Sequence, residues 1–178
     1  MTSSFRHRLA AREDLDELSA LMRVSIRALL KPMLTPAQVE ASFSIMGLDT
    51  QLIEDGTYFV VVEGDRIVGC GGWSRRATLF GGDHSAGRDA RLLDPRTEPA
   101  RVRAMYTHPD FARRGIGRLI LSLCERAAAA EGFTHTELGA TMAGLPLYRA
   151  YGFEEIERLD VDTPSGVRVP IVRMGKRI

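Results

Sequence analysis

Leu15, Leu18, Met22, Ile26 and Leu29 recur at the spacing of one helix face and predict a core-facing helix over Glu13–Leu30. A short strand over Arg6–Ala10 is expected before it. Thr35-Pro-Ala-Gln38 reads as a capping box with proline at the first helical position, so a second helix is expected from Pro36 to about Met46, stopped at Gly47. The pattern then becomes strand-like over Thr57–Glu63 and Arg66–Trp73. The Gly64-Asp65 pair between them suits a tight II′-type hairpin turn. A further strand is expected over Val102–Thr107 and a helix from Gly115 to about Glu131, with Leu119, Leu123, Cys124, Ala127 and Ala128 on one face. Another strand follows over Thr134–Ala140, then a short helix from about Ala143 to Tyr151 that closes on Gly152. Two strands around Thr163-Pro-Ser-Gly166 end the chain as a hairpin.

Strand, helix and strand joined by short links between 102 and 140 favour a right-handed crossover with parallel strands, whereas the hairpins are antiparallel. The expected class is α/β with a mixed sheet flanked by helices. Residues 75 to 100 break the regularity with glycine, aspartate and proline. So long a loop in a compact unit is expected to be a functional lid or to be disordered. At 178 residues with 44 % hydrophobic side chains, the chain suffices for one core, and a single domain over 1–178 is expected.

Composition narrows the function classes. A net charge of +1, from 24 basic and 23 acidic residues, provides no global field for nucleic acid or an anionic membrane surface. No apolar run approaches a membrane span and the N-terminus has no secretory h-region, so a soluble cytoplasmic protein is expected. Cys70 and Cys124 lie in apolar contexts and read as core filler. His7, His84, His108 and His135 are scattered without ligand spacing, so no metal is expected.

The densest chemistry lies in His108-Pro-Asp-Phe-Ala-Arg-Arg-Gly-Ile-Gly-Arg118, between the 102–107 strand and the following helix. Free N–H groups and the helix dipole favour an anion at such a junction. A dinucleotide motif is poorly matched, because Ile120 stands at the third glycine position and the run lies two-thirds along the chain. A phosphate-binding P-loop is excluded, since no Lys-Ser or Lys-Thr pair exists. On the glycines alone, an anion site and an ordinary turn remain equal readings.

Ala112-Arg-Arg-Gly-Ile-Gly117 and Leu147-Tyr-Arg-Ala-Tyr-Gly-Phe153, with the order of elements, resemble the GNAT superfamily of acyl-coenzyme A-dependent N-acyltransferases over nearly the whole chain. The first run keeps both glycines of that family's signature but has Ala112 where the family has Gln or Arg. The resemblance implies acetyl-coenzyme A as cosubstrate, an amine acceptor and a possible homodimer, while the near-neutral charge and the lack of a membrane-length apolar run leave no nucleic-acid or membrane partner expected. It implies a pantetheine arm along Met105, Tyr106 and Thr107. It also implies phosphates held by Arg113, Arg114, Gly115, Ile116, Gly117 and Arg118, and Tyr148 as general acid toward the leaving thiolate. Gly139 would suit a close backbone approach in the facing strand.

No motif assigns a general base. Glu63 and Glu137 are carboxylates near the strands, Asp83 and His84 lie on the long loop, and His108 is read as organising its turn. Acceptor specificity is expected from the first two helices and the 75–100 loop. Arg23 and Arg27 read as a solvated helix face, and Trp73 and Phe80 read either as pocket wall or as core. The functional expectation is acetyl transfer to a primary amine of a small molecule or peptide. A catalytically silent acyl-coenzyme A sensor is the alternative.

Overall fold

A computed structural model describes residues 5–178. Seven strands form one mixed sheet in the order β1-β2-β3-β4-β5-β7-β6. They are β1 (Arg6–Leu9), β2 (Tyr58–Glu63), β3 (Arg66–Ser74), β4 (Ala100–Thr107), β5 (His135–Ala140), β6 (Glu154–Asp162) and β7 (Arg168–Arg177). Every neighbouring pair is antiparallel except β4 and β5. The helices are α1 (Leu15–Leu30), α2 (Pro36–Ser42), α3 (Thr50–Glu54), α4 (Ile116–Ala130) and α5 (Leu145–Tyr151).

α1 and α2 cover one side of the sheet and α4 and α5 the other, which splits the core in two. Leu18, Met22 and Ile26 of α1 pack with Tyr58, Val60 and Cys70. Ile116, Ile120 and Cys124 of α4 pack with Val68, Val102 and Leu138. α4 lies unusually close to β3 because glycines face it. A Cβ at Gly69 would stand 2.3 Å from the Ile116 side chain, and one at Gly71 would stand 2.8 Å from that of Ile120. Both distances are below any real Cβ contact, so the helix N-terminus is brought down onto the strands beside the opening described below.

Several boundaries differ from the sequence-based expectations. The second helix ends at Ser42 rather than near Met46, although its capping box forms as read: Thr35 Oγ1 accepts from the Gln38 N–H at 3.2 Å. α3 is too short to show a period, and its only local signal is Asp49, whose carboxylate accepts from the Gln51 N–H. Ile116 and Ile120, rather than Leu119 and Ala127, centre the buried face of α4. The 75–99 segment is an ordered loop tied to the body by Arg76–Asp55 at 2.8 Å and Arg88–Asp49 at 2.9 Å. The expected β4–α4–β5 crossover is present with parallel strands.

Candidate active site

β4 and β5 pair only at Ala100–Thr136 and Arg101–Glu137 and then part. Beyond Arg101, the edge of β4 facing β5 has no strand partner. β4 is also bulged: Cys70 pairs with Tyr106 and Gly72 with Arg103, so the strand carries one extra residue between them. Ala104 takes up that residue at φ +50°, a costly conformation for a side chain other than glycine. The buried Tyr58 hydroxyl secures it, donating to the Ala104 carbonyl at 2.7 Å.

The parting of the strands opens a cleft, continuous with solvent, that reaches both sides of the sheet. Residues 102–107 of β4 line one wall and Leu138 and Gly139 of β5 the other. Gly117, Leu147 and Tyr148 bound it on the α4 side, and Ser25, Ile26 and Leu30 on the α1 side. Phe80 reaches in from the 75–99 loop and lies over Gly139, where a Cβ would stand 3.1 Å from its ring. What lies nearest Gly139 is the side chains of Phe80 and Ile171 rather than the backbone expected there. Trp73 packs in the core against Phe133 and stays out of the cleft.

At one mouth stands the glycine turn. Arg113 at φ +65° and Gly115 at φ +88° turn the chain into α4. Among the described residues none accepts a hydrogen bond from the backbone N–H groups of 113–118, and no side chain caps the helix. Together with the helix dipole these donors suit a phosphate. The arginines are disposed less uniformly than their spacing suggests. Arg113 is exposed, while Arg114 pairs with Glu63 at 3.1 Å and stacks on Phe111. Arg118 lies over the Tyr151 ring. Ile116 offers only its backbone, since its side chain is buried in the core.

Tyr148 stands inside the cleft. Its ring lies against Gly144, where a Cβ would come within 2.6 Å of it, and meets Phe153 edge to face. The hydroxyl lies 3.7 Å from Met105 Sδ, aimed at the bulged part of β4. Burial raises its pKa above the ordinary tyrosine range, so it is a protonated donor at neutral pH. Tyr106 is likewise kept neutral by burial, and its oxygen accepts from the Gly47 N–H at 2.9 Å.

The side chains weighed as bases are occupied elsewhere. Glu137 holds Arg101 and Arg173, each at 2.6 Å. Asp83 accepts from the Thr50 N–H, and His84 Nε2 lies 2.6 Å from the Phe43 carbonyl. His108 caps its turn through Nδ1, as its position before Pro109 suggested. None of these lines the cleft. Arg27 lies over Phe43 and within 3.7 Å of Glu40 on an exposed helix face.

Two buried groups at the site escaped the sequence reading. Arg103 of β4 donates to Asp49 at 2.8 Å and to the Gly81 and Thr78 carbonyls, fixing the loop to the strand. Burial lowers its pKa and Asp49 opposes that shift. Asp49 thus holds two guanidinium groups, Arg88 and Arg103, with a side chain only 1 % exposed.

Comparison with known proteins agrees with this arrangement. A family model described as an acetyltransferase (GNAT) domain matches residues 54–155. That span covers β2 through α5 and more than half of the chain, which therefore belongs to the GNAT acetyltransferases, a class of acyl-coenzyme A-dependent N-acetyltransferases. The fold is similar to that of a GCN5-related N-acetyltransferase from Rhodopseudomonas palustris, at TM-score 0.74 and 18 % identity over 100 % of this chain and 98 % of that one. It is also similar to the PaiA N-acetyltransferase of Thermoplasma acidophilum in complex with coenzyme A (TM-score 0.65, 14 % identity, 98 % and 99 % coverage). A third is a putative acetyltransferase, YncA, from Salmonella typhimurium with acetyl-coenzyme A (TM-score 0.61, 17 % identity, 97 % and 93 % coverage). No curated protein sequence matches the chain. Among the described residues no helix is long and apolar enough to cross a membrane.

Proposed function

We propose that residues 1–178 act as one acetyltransferase unit that moves an acetyl group from acetyl-coenzyme A to a primary amine within a ternary complex. The observation that carries this reading is the parting of β4 and β5 beside the uncapped N-terminus of α4. An extended, amide-bearing arm ending in a pyrophosphate fits both features, because the free edge of β4 matches its amides and the 113–118 N–H groups its phosphates. The two similar structures holding coenzyme A or acetyl-coenzyme A support that choice of cosubstrate.

Acetyl-coenzyme A supplies a thioester: a nitrogen–carbon bond forms, the carbon–sulfur bond breaks, and the amine's displaced proton ends on the coenzyme A thiol. The chain's part is to bind, orient and manage that proton. Met105, Tyr106 and Thr107 offer backbone to the pantetheine arm, and Arg113 and Arg118 add charge near the phosphates. Arg114, committed to Glu63 and Phe111, positions the turn from behind. Tyr148, a neutral phenol aimed at the bulge, hydrogen-bonds the departing sulfur and serves as the acid. Among the described residues that line the cleft, none is a carboxylate or histidine, and its apolar walls favour the neutral, nucleophilic form of the amine.

Incubation with acetyl-coenzyme A and a panel of amines, following free thiol, tests the reading. Thiol release matched by acetylated amine supports it, and Tyr148→Phe is expected to lower turnover with little change in cofactor affinity. Binding without thiol release on any amine would favour a silent sensor.

A further inference from the structure

On its α1 side the cleft becomes a chamber between α1, the segment after α2, and the 75–99 loop. Its walls are Ile26, Leu30, Ile45, Met46 and Phe80. Among the described residues, Arg103 is the one charged side chain that borders the cleft, and its terminal nitrogens already serve Asp49, Thr78 and Gly81. Its Nε is fully shielded from any ligand. A second ammonium group on the acceptor would meet no counter-charge here, and a carboxylate would meet no available donor on Arg103.

Ser25 interrupts this apolar wall. It lies on α1, is only 4 % exposed and borders the cleft. The buried Ser42 hydroxyl donates to the Gln38 carbonyl and the Ser74 oxygen accepts from the Arg76 N–H. Among the described residues, the Ser25 hydroxyl has no such partner. Nor is its oxygen among the side-chain atoms that are both unpartnered and fully shielded, which are Arg103 Nε and Thr136 Oγ1. The oxygen is therefore not sealed off, and the cleft is the space that Ser25 borders. Serine at a buried helix position, unbonded to its own backbone, gives up the stability an apolar residue would provide, and a hydroxyl facing a ligand accounts for it.

We infer that the chamber takes a compact apolar primary amine, arylalkyl or branched alkyl, with no second charge, and that Ser25 Oγ accepts a hydrogen bond from its N–H. This rests on the cleft being the acetyl-transfer site proposed above. With that N–H held at α1, the nitrogen lone pair is free to face the bulge of β4, where Tyr148 waits on the opposite side. The apolar walls favour the neutral amine, the nucleophilic form.

The test is steady-state kinetics with acetyl-coenzyme A on 2-phenylethylamine and isopentylamine, against putrescine, which adds a cation, and phenylalanine, which adds a carboxylate. Expected are kcat/KM values at least about tenfold higher for the first two, a difference of about 1.4 kcal/mol. Ser25→Ala, which favours the helix, is expected to lower kcat/KM on them about tenfold while leaving acetyl-coenzyme A affinity unchanged. Faster turnover of putrescine or phenylalanine overturns the apolar acceptor while leaving acetyl transfer intact. Unchanged kinetics in Ser25→Ala overturns the contact. If octanoyl-coenzyme A replaces acetyl-coenzyme A with higher kcat/KM, the chamber holds acyl chain and the inference fails. Thiol release on no amine removes the underlying reading and this inference together.

Discussion

Tyr58→Phe removes one oxygen from the core and tests what opens the sheet. The hydroxyl is the donor to Ala104, the residue at φ +50° in the β4 bulge, at 2.7 Å, and Tyr58 is 1 % exposed. Phenylalanine keeps the ring's packing and strips the carbonyl of that partner. A buried acceptor left unpaired costs about 1–3 kcal/mol. For a domain of this size each kcal/mol shifts the melting temperature by about 2–4 °C, so a fall of roughly 2–12 °C is expected by differential scanning fluorimetry. If acetyl-coenzyme A binds only the bulged strand, affinity falls by the fraction of molecules that leave the bulge. Isothermal titration should then show Kd raised, by at most about 150-fold. A variant that melts and binds like the parent would refute the argument, because the bulge would then be held by the strand register alone.

Three other perturbations follow from the same physical picture. Asp49→Asn leaves the buried Arg103 guanidinium without its counter-charge and is expected to cost about 3–5 kcal/mol in urea unfolding, whereas unchanged stability would mean the loop is held by its carbonyl contacts alone. Gly115→Ala forces an alanine to φ +88°, and Gly117→Val drives a side chain into Leu147, whose Cδ2 would lie 2.5 Å from the new Cβ. Each is expected to weaken acetyl-coenzyme A binding more than Arg113→Ala or Arg118→Ala, and the reverse order in titration would shift the phosphate site to the side chains. Burial pushes the Cys70 thiol up to about 12 from an ordinary value of 9.0. Its contribution to stability is therefore complete below pH 9 and is lost as pH rises from 9 toward 12, by about 1.4 kcal/mol per pH unit. Urea unfolding at pH 7, 9 and 10 checks the sign, and a Cys70→Ala variant with the same alkaline slope would exclude this thiol as a source.

What the sequence reveals is local. The capping box at Thr35, the hairpin at Gly64 and the glycine turn at 115–117 each depend on neighbours within a few residues, and each forms. The Leu147–Phe153 run is local in the same way, and it places Tyr148 on the cleft wall. The bulge was not, because nothing about an alanine at 104 announces a positive φ. It depends on Tyr58, 46 residues earlier. The 75–100 stretch reads as a lid or as disordered because its glycines and prolines are visible while its anchors are not. Asp49 meets Arg88 and Arg103 across 39 and 54 residues of sequence. Glu137 looked available as a base until β7 brought Arg173 beside it.

A crystal structure with acetyl-coenzyme A bound decides whether the β4–β5 cleft holds the cosubstrate. Expected are the pantetheine arm along residues 102–107 of β4, phosphates on the 113–118 N–H groups, and the thioester sulfur within hydrogen-bonding reach of the Tyr148 hydroxyl. Cosubstrate lying elsewhere, such as the groove beside Pro99, Glu154 and Lys176, with the β4–β5 cleft unfilled, would contradict it.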